Sequence, residues 1–439
     1  MTSWASASRT FGSGAHAALE VSRPVSEARD QVLVYVDAAE LGQQQKIGIL
    51  SRERSRSKSV VSFAYDPTWV AAPGSFAIDP SLPLFEGQQY QAALPGIFSD
   101  AAPDRWGRTL MERREAIIAR RQGRKPRPLD EWDFLIGVND STRIGALRLA
   151  HPSDGTFLDA TPLSVPPATQ LRDLEHWARE LEEGLPRATT DEDRWIAMLI
   201  APGSSLGGAR PKANFLGEDG ALWIAKFPSR EDRHDVGAWE YVLTRLAAGA
   251  GIEVPETNLL QLGSPFRTFC ARRFDRIGDR RRLYASAMTL VEKRDNEDAS
   301  YLDIAQAIGF FADPEKIRDD LKQLFRRVVF NVLTGNRDDH LRNHGFLRFA
   351  EGWRLAPAFD LNPAPQKMDH ALALDASVRM PDIYVVRDTA ALYRLSVAQA
   401  NETIEEVRST LRGWRSAARE FSIPKDEIES MAAAFEDQP

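Results

Sequence analysis

Hydrophobic residues form short runs of β-branched and aromatic side chains at several places along the chain. Residues 32–36 and 60–65 are two such runs, and they predict β-strands. Residues 213–216 and 221–227 predict two more strands, joined as a hairpin by the polar turn 217–220. The first half of the chain is therefore expected to contain much strand.

A different spacing of apolar positions predicts a long helix over residues 313–333. Its apolar residues recur at intervals of three and four, which gives one buried face; they are Ile317, Leu321, Leu324, Phe325, Val328, Val329 and Val332. Asp313 is the expected N-cap and Pro314 the expected first helical residue. Gly335 lies just past the end and can supply a left-handed stop.

These patterns predict three regions. Residues 1–30 are rich in Ser, Ala and Gly and are expected to be a disordered leader. A domain of mixed strands and helices is expected over 31–190. A second domain is expected over 191–439, with a nucleotide-binding hairpin at about 203–276 and a helical lobe at about 300–439.

The composition narrows the function classes. The chain is 43% hydrophobic and 27% charged, as soluble globular proteins are. A net charge of -7 argues against a dedicated nucleic-acid coat protein. Cys270 is the single cysteine, which excludes an internal disulfide and fits a reducing cytosol. No apolar run approaches the ~18 residues of a membrane span, so a cytoplasmic protein without membrane contact is expected.

The strongest candidate chemistry follows the predicted long helix. Asp338 can accept the proton of an attacking hydroxyl, and Asn343 and Asp360 can hold Mg²⁺ ions that neutralise charge on a transferred phosphate. The spacing from Asp338 to Asn343 equals that of the protein-kinase catalytic loop. The chain lacks the His-Arg pair that precedes this aspartate in protein kinases. It has Asp-Leu-Asn at 360–362, where protein kinases have Asp-Phe-Gly. The adjacent Asp339 leaves the identity of the base open, although the spacing favours Asp338.

A loop of small residues at 203–212 is the candidate phosphate contact. Gly207 and Gly208 would let backbone N–H groups approach phosphate oxygens closely, with Ser205 beside them. The loop does not fit the Walker pattern. Taken alone, it is more often an ordinary surface loop.

Two further segments extend the nucleotide site. Lys226 falls near the end of the second hairpin strand, where a kinase places its phosphate-pairing lysine, and Glu240 could orient it as an ion pair. An edge-strand lysine is the plainer interpretation of Lys226. Cys270 and Ala271 lie in an apolar stretch that could be a hinge whose backbone pairs with adenine. A core strand followed by a salt bridge explains that stretch almost as well.

Taken in order, these motifs resemble the HipA family of bacterial serine/threonine kinases, the toxin halves of HipA–HipB toxin–antitoxin pairs. The resemblance runs from about residue 32 to the C-terminus. Its matching segments are 204–212, the hairpin with Lys226, 273–276, 338–346 and 356–360, with 63–67, 82–84, 94–98 and 103–107 in the N-terminal part. It implies an α+β, protein-kinase-like fold of two lobes, with a mixed α/β N-terminal domain and a mostly α-helical C-terminal lobe.

The resemblance also implies roles for individual residues. It makes Asp338 the catalytic base, Lys226 the contact to the ATP phosphates, and Asn343 and Asp360 the Mg²⁺ ligands. His340 is expected to orient the catalytic loop by hydrogen bonding to the backbone. ATP and Mg²⁺ are the implied cofactors.

Regulation and partners are implied in the same way. Ser205 matches the family's autophosphorylated serine, although the neighbouring Ser204 could be the modified residue. A phosphate there adds about -1.5 to -2 charge, which would repel ATP and inactivate the enzyme. The family's known substrates are aminoacyl-tRNA synthetases, so arrest of translation and growth is implied. A separate HipB-like DNA-binding antitoxin and, through it, operator DNA are the implied partners.

Three other functions fit parts of the pattern. A kinase of a lipid or small-molecule hydroxyl would use identical chemistry. A non-catalytic ATP-binding partner of an antitoxin could use the basic tract 113–127, which is otherwise a solvated helix face and loop. A metal-dependent phosphohydrolase would not need the small-residue loop or Lys226; its candidate ligands are Asp338, Asp339, His340, His344 and His370.

Overall fold

The N-terminal part of the computed structural model is built on a five-stranded antiparallel sheet. The structure describes residues 31–54, 59–160, 165–183 and 210–436. The strands are β1 (Gln31–Val36), β2 (Gln45–Arg54), β3 (Ser59–Tyr65), β4 (Gln88–Gln91) and β5 (Leu147–Ala150), in the order β4-β3-β2-β1-β5. Val32, Val34 and Val36 alternate along β1 and are fully buried, so one face of the sheet packs on the core. The strands predicted at 32–36 and 60–65 are confirmed.

Among the described residues, four α-helices accompany this sheet. They are α1 (Pro67–Val70), α2 (Gly96–Asp100), α3 (Arg105–Arg121) and α4 (Glu131–Ile136). The side chains of Asp66, Asp104 and Asp130 each accept a backbone N–H at the start of α1, α3 and α4. Capping by a residue next to the helix therefore fixes where these three helices begin.

A second antiparallel sheet carries the predicted hairpin. Its strands are β6 (Lys212–Leu216), β7 (Leu222–Lys226), β8 (Thr257–Leu260) and β9 (Thr268–Arg272), in the order β6-β7-β9-β8. Helix α5 (Leu171–Glu182) precedes the sheet, and its Leu174 packs with Trp106 in a core that includes alternate residues of these strands. Helix α6 (Val236–Gly249), capped by Asp235, contacts β8 and β9.

The C-terminal part is mostly helical. β10 (Arg276–Ile277) and β11 (Arg280–Arg281) form a short ribbon, and β12 (Tyr284–Ser286), β13 (Gly345–Arg348) and β14 (Trp353–Leu355) form a three-stranded sheet. The helices are α7 (Ala287–Leu290), α8 (Tyr301–Phe311), α9 (Ile317–Leu333), α10 (Ile383–Asp388), α11 (Val397–Leu411), α12 (Trp414–Glu420), α13 (Lys425–Ser430) and α14 (Ala432–Glu436). Helix α9 lies in the core, which makes it a rigid support for the loop that follows it.

Helix α9 begins later than its sequence predicts. Asp313 is the predicted N-cap, but the helix starts at Ile317. The Asp313 side chain accepts the N–H of Glu315 at 2.9 Å, and the Asp313 N–H donates to Trp353 O at 3.1 Å. These bonds hold Asp313 in a separate turn, because an aspartate can satisfy nearby N–H groups outside a helix. The predicted end is confirmed, since Gly335 follows it with a φ of +60°.

The described residues have the predicted α+β architecture, in which a mixed N-terminal part and a second sheet precede a mostly helical C-terminal part. The predicted leader, residues 1–30, lies outside the described residues. So does the predicted domain boundary near residue 190, which falls within 184–209. In the part of the chain that the structure describes, no helix has the length and apolar character needed to cross a membrane.

Candidate active site

Lys226, at the end of β7, makes two ion pairs, and the one with Asp360 joins the second sheet to the C-terminal part. Its Nζ lies 2.5 Å from Glu240 Oε1 on α6 and 2.6 Å from Asp360 Oδ1 in the segment after β14. The Lys226 side chain is 10% exposed, so these pairs are largely shielded from solvent. The structure thus contains the predicted pair of Lys226 with Glu240 and adds Asp360 to it.

Burial and the ion pairs act in opposite directions on the pKa values of this cluster. Burial alone would lower the pKa of Lys226, but the charges of Asp360 and Glu240 outweigh burial and raise that pKa. Burial would raise the pKa of Asp360, but the Lys226 ammonium lowers it to about 2. Burial raises the pKa of Glu240, and Lys226 offsets only part of this rise. Lys226 and Asp360 are therefore both charged at neutral pH.

Asp360 also has an unusual backbone. Its φ is +60°, and the left-handed conformation costs a residue with a side chain roughly 1–2 kcal/mol. The ion pair with Lys226 helps to hold this carboxylate in place. Strained positions of this kind cluster at functional sites, which supports a functional role for Asp360.

The neighbouring carboxylates of Asp338 and Asp339 have different surroundings. Asp339 is buried and accepts three hydrogen bonds, from Tyr301 Oη at 2.8 Å, Asn331 Nδ2 at 2.8 Å and His344 Nε2 at 2.7 Å. Burial would raise the pKa of Asp339, but His344 and these bonds lower it overall. Asp338 is exposed and forms an ion pair with Lys367. Of the two, Asp338 is the carboxylate that an incoming hydroxyl can reach.

The remaining predicted residues of the catalytic loop follow directly. Asn343 ends a 3₁₀ turn, Leu341–Asn343, and its buried Oδ1 has no hydrogen-bond partner among the described residues. The Oδ1 of Asn362, two residues after Asp360, is also without a partner there. An amide oxygen together with the Asp360 carboxylate is the type of donor set that Mg²⁺ prefers. The residues present therefore fit the ion that the resemblance implies.

His340 is placed beside this turn without the hydrogen bond expected of it. Its backbone oxygen accepts the N–H of Asn343 at 2.8 Å. Its ring Nδ1, however, has no hydrogen-bond partner in the described part of the chain. The expectation that the His340 side chain orients the loop through a backbone hydrogen bond is thus not met at Nδ1. The histidine bonded within the loop is His344, which is buried against Asp339.

An apolar cleft lies beside Lys226. Ile224 on β7 and Phe269 and Ala271 on β9 line it, and Phe274 and Phe359 belong to the same lining. The cleft encloses about 30 Å³, so a ring could enter only after these side chains move apart. Apolar side chains beside Lys226 suit the face of an aromatic ring. The side chain of Ala271 lines this cleft, while the backbone of β9 at Cys270 and Ala271 pairs with β7 and β8 in the sheet, as the core-strand interpretation predicts.

Cys270 faces the opposite side of β9. Its buried side chain packs with Trp106 and Leu174, away from the lining of the cleft. Successive residues of a strand face opposite sides, so Ala271 and Cys270 cannot both present their side chains to the cleft. Burial raises the pKa of the Cys270 thiol, which fits a core residue.

A buried charge cluster fixes the segment that follows β9. The Asp275 carboxylate accepts hydrogen bonds from Arg273 Nη2 at 2.6 Å, from Arg276 Nη1 at 2.6 Å and from the Gly145 N–H at 2.8 Å. Arg273 Nη1 also donates to Thr142 O at 2.6 Å. Burial would raise the pKa of Asp275, but the two guanidinium groups hold it well below its usual range. The N-terminal part is thereby tied to the wall of the cleft.

Sequence reasoning misses two lysines in this region. Lys212 Nζ is buried and lies 2.6 Å from Asp104 Oδ2, which joins β6 to the start of α3. Lys367 contacts Asp338 from a segment beyond the predicted metal ligand Asp360. Neither contact follows a helical or strand period, so local patterning carries no signal for either.

The predicted phosphate loop and the basic tract are the remaining features that the sequence predicts. Ser204, Ser205, Gly207 and Gly208, which form the predicted phosphate loop and modification site, fall outside the described residues. In the basic tract, Arg124 pairs with Glu115 at 2.6 Å, and Arg127 pairs with Asp133 at 2.7 Å. Two of its charges therefore belong to local ion pairs.

Comparison with known proteins gives independent evidence of the family to which the chain is related. Residues 41–150 match the family model of the HipA N-terminal domain, and residues 204–414 match that of the HipA-like C-terminal domain. The serine/threonine-protein kinase toxin HipA of Shewanella oneidensis is 24% identical over 340 residues, which cover 69% of this chain and 77% of that protein. A putative kinase of Haemophilus influenzae is 28% identical over 196 residues, which cover 39% of this chain and 56% of that protein.

A solved structure agrees with the fold. It is the complex of HipA and HipB from Shewanella oneidensis with operator DNA, and its matching chain has a TM-score of 0.63 at 16% identity. The match covers 92% of this chain and 94% of the other. The predicted two-lobe, kinase-like α+β fold is confirmed.

Proposed function

The chain belongs to the HipA family of kinases, and from that premise we propose that it transfers the γ-phosphoryl group of ATP to a serine or threonine hydroxyl of a protein. ATP and Mg²⁺ are the proposed cofactors. The proposed transfer depends on the side chains around Lys226 and Asp338.

The arrangement of Lys226 carries the proposal. Glu240 and Asp360 bind its ammonium from two different elements, at 2.5 and 2.6 Å. A lysine held by two carboxylates cannot move far, so it offers a fixed positive charge beside the apolar cleft. In a kinase such a charge steadies the phosphates of ATP while adenine occupies the cleft.

Asp338 acts on the acceptor. Its exposed carboxylate aligns the hydroxyl and accepts the hydroxyl proton. The acceptor oxygen forms a bond to the γ-phosphorus while the bond from that phosphorus to the bridging oxygen breaks. The electron pair of the broken bond leaves with ADP. Little covalent chemistry is required of the protein, so positioning and electrostatics carry most of the rate.

Asn343 and Asp360 are the proposed Mg²⁺ ligands. When bound, the ion supplies positive charge to the β- and γ-phosphates. Two observations support these ligands. The buried Oδ1 of Asn343 has no hydrogen-bond partner among the described residues, and the low pKa of Asp360 keeps that carboxyl ionised. The left-handed backbone of Asp360 fixes the second ligand.

Autophosphorylation of Ser205, or of Ser204 beside it, is the proposed means of self-inactivation. The phosphate, with about -1.5 to -2 charge, would lie in the proposed phosphate-binding loop, and repulsion between like charges would weaken ATP binding. Mass spectrometry after incubation with ATP should find the phosphate on one of these serines. A Ser205→Ala variant should keep its activity for longer than the wild type.

The proposed substrate is a translation component such as an aminoacyl-tRNA synthetase. The proposed partner is a separate HipB-like antitoxin that brings the kinase to operator DNA. Support comes from the relatives, since one is described as a HipA toxin and the solved complex contains HipB and operator DNA. A kinase of a small-molecule or lipid hydroxyl would use the same site, so the acceptor must be found by experiment.

The decisive experiment uses γ-labelled ATP and Mg²⁺. The purified chain is incubated alone and with a cytosolic extract, beside the Asp338→Ala variant. Label on a serine of the chain and on a discrete protein band, both absent with the variant, would support a protein kinase. Label confined to small molecules or lipids would favour the second acceptor class. No label from a chain that binds ATP would favour a non-catalytic binding protein.

A further inference from the structure

We propose that Lys367 is a further catalytic residue, which contacts the phosphoryl group as that group passes from ATP to the acceptor. This inference rests on the proposed function. It starts from the ion pair between Lys367 Nζ and Asp338 Oδ1, which brings a cation to the residue that aligns the acceptor.

The backbone around Lys367 is fixed to the catalytic loop. Arg337, the residue before Asp338, donates from Nη1 to Lys367 O, and its own carbonyl accepts the N–H of Ala371 at 3.0 Å. The Ala364 N–H donates to Gly335 O at 2.9 Å, and the Lys367 N–H donates to Ala364 O at 3.0 Å. Three of these hydrogen bonds hold residues 364–371 against the loop that carries Asp338, and the fourth closes the turn that carries Lys367.

The ion pair itself is open to solvent. The side chain of Lys367 is 42% exposed and that of Asp338 is 63% exposed. Exposed ion pairs contribute little to folding stability, so the pair can rearrange at small cost when substrates arrive. A fixed backbone with a mobile ammonium suits a residue that stays in contact with the phosphoryl group while it moves from ATP to the acceptor.

Lys226 cannot serve this position. Two carboxylates hold its ammonium beside the apolar cleft, and its side chain is only 10% exposed. Lys367 instead lies at Asp338, where the acceptor oxygen approaches. A cation there stabilises negative charge on the phosphoryl oxygens as the acceptor bond forms, and such preorganised charge is a large source of catalysis. Lys226 therefore contacts the phosphates of bound ATP, and Lys367 contacts the phosphoryl group that is transferred.

The test compares Lys367→Met, Lys367→Arg and Lys316→Met with the wild type. Lys316 is an exposed lysine that pairs with Asp319 at the start of α9. The 17 residues of α9 span about 25 Å between it and the catalytic loop. We measure kcat with the labelled-ATP assay, the Kd of Mg²⁺–ADP, and the Tm of each variant.

Lys367→Met should lose about 10²-fold in kcat, while its Kd for ADP and its Tm stay those of the wild type. Lys367→Arg should recover part of the loss, and Lys316→Met should match the wild type in all three measurements. Unchanged kcat in Lys367→Met would overturn the inference, and faster turnover would also overturn it by showing that Lys367 restrains Asp338. A wild-type chain that transfers no phosphate would instead refute the proposed function itself.

Discussion

Asp338 and Asp339 are adjacent in the chain, yet the side chain of the first is 63% exposed and that of the second is 4% exposed. The difference follows from their partners. Asp339 accepts three hydrogen bonds from buried groups, and Asp338 makes one exposed ion pair. Burial with three hydrogen bonds to Oδ2 suits a structural carboxylate, and exposure on the loop that follows a rigid helix suits a reactive one.

The first prediction separates these two roles by replacing each aspartate with asparagine. Asp338→Asn should lower turnover by about 10²–10⁴-fold, and its free energy of unfolding should change by less than about 1 kcal/mol because an exposed pair is lost. Asp339→Asn should lose about 2–4 kcal/mol of stability, because its amide would replace an ionised acceptor of buried hydrogen bonds. Urea denaturation and the labelled-ATP assay measure both effects.

The opposite pattern would reverse the assignment. If Asp339→Asn unfolds like the wild type but transfers no phosphate, and Asp338→Asn remains active, then Asp339 is the base. Asp279→Asn serves as the control, since Asp279 is exposed in the turn between β10 and β11.

The second prediction concerns Mg²⁺ and Asn343. Its Oδ1 has no hydrogen-bond partner among the described residues, so its removal breaks no protein hydrogen bond at that atom. Asn343→Ala should raise the Mg²⁺ concentration for half-maximal activity by about 10-fold or more, the range found when groups that support a metal site are removed. A titration of the reaction rate with Mg²⁺ at saturating ATP measures it.

Asn401→Ala is the matched control for Asn343→Ala, because Asn401 is exposed on α11. Its Mg²⁺ dependence should equal that of the wild type. Should Asn343→Ala show the same dependence as this control, Asn343 is not a ligand, and the unpaired Oδ1 of Asn362 would be the next candidate.

Much of this site could be predicted from sequence because its signals are local. The hairpin, the position of Lys226 on its second strand and the spacing from Asp338 to Asn343 each lie within a short stretch, where strand and loop patterns operate. The pairing of Glu240 with Lys226 was also predicted, and Glu240 lies on α6, which begins ten residues after Lys226. Those placements agree with the structure.

The features that sequence could not supply depend on contacts between distant segments. The start of α9 is wrong by several residues because the Asp313 N–H bonds to Trp353, which a local capping pattern cannot show. Lys367 reaches Asp338 only through the path of the chain after Asp360. The side chain of Cys270 faces away from the cleft, as the alternation of Phe269, Cys270 and Ala271 along one strand indicates.

The third prediction tests the charge cluster that ties the cleft to the N-terminal part. Asp275→Asn removes the anion between Arg273 and Arg276 and leaves two buried cations without it. The loss of one member of a buried ion cluster typically costs about 3–5 kcal/mol, so the variant should unfold at lower denaturant concentration. It should also bind ADP more weakly, because Arg273 and the adjacent Phe274 line the cleft and would lose the anion that holds this segment in place.

Asp279→Asn is again the control, since it changes an exposed aspartate a few residues away. A variant at Asp275 that keeps both wild-type stability and wild-type ADP affinity would show that the cluster does not position the cleft. Loss of stability with unchanged affinity would confine its role to folding.

The fourth prediction concerns pH and His370, whose burial lowers its pKa to about 4. An unfolded chain binds a proton at this histidine below about pH 6.5, whereas the folded chain remains neutral there until about pH 4. Protons therefore favour the unfolded state between these values, and stability falls as the pH is lowered through this window. Between pH 7.5 and pH 5 the loss due to His370 should be about 2 kcal/mol.

A His370→Met variant removes the titrating group and places an apolar side chain in the buried position. The difference between its free energies of unfolding at pH 7.5 and pH 5 should be smaller than that of the wild type by about 2 kcal/mol. His176→Gln, at an exposed position on α5, should leave the wild-type difference unchanged. If His370→Met loses as much stability as the wild type over this range, then His370 takes up its proton in the folded chain as readily as in the unfolded one, and its burial does not govern acid stability.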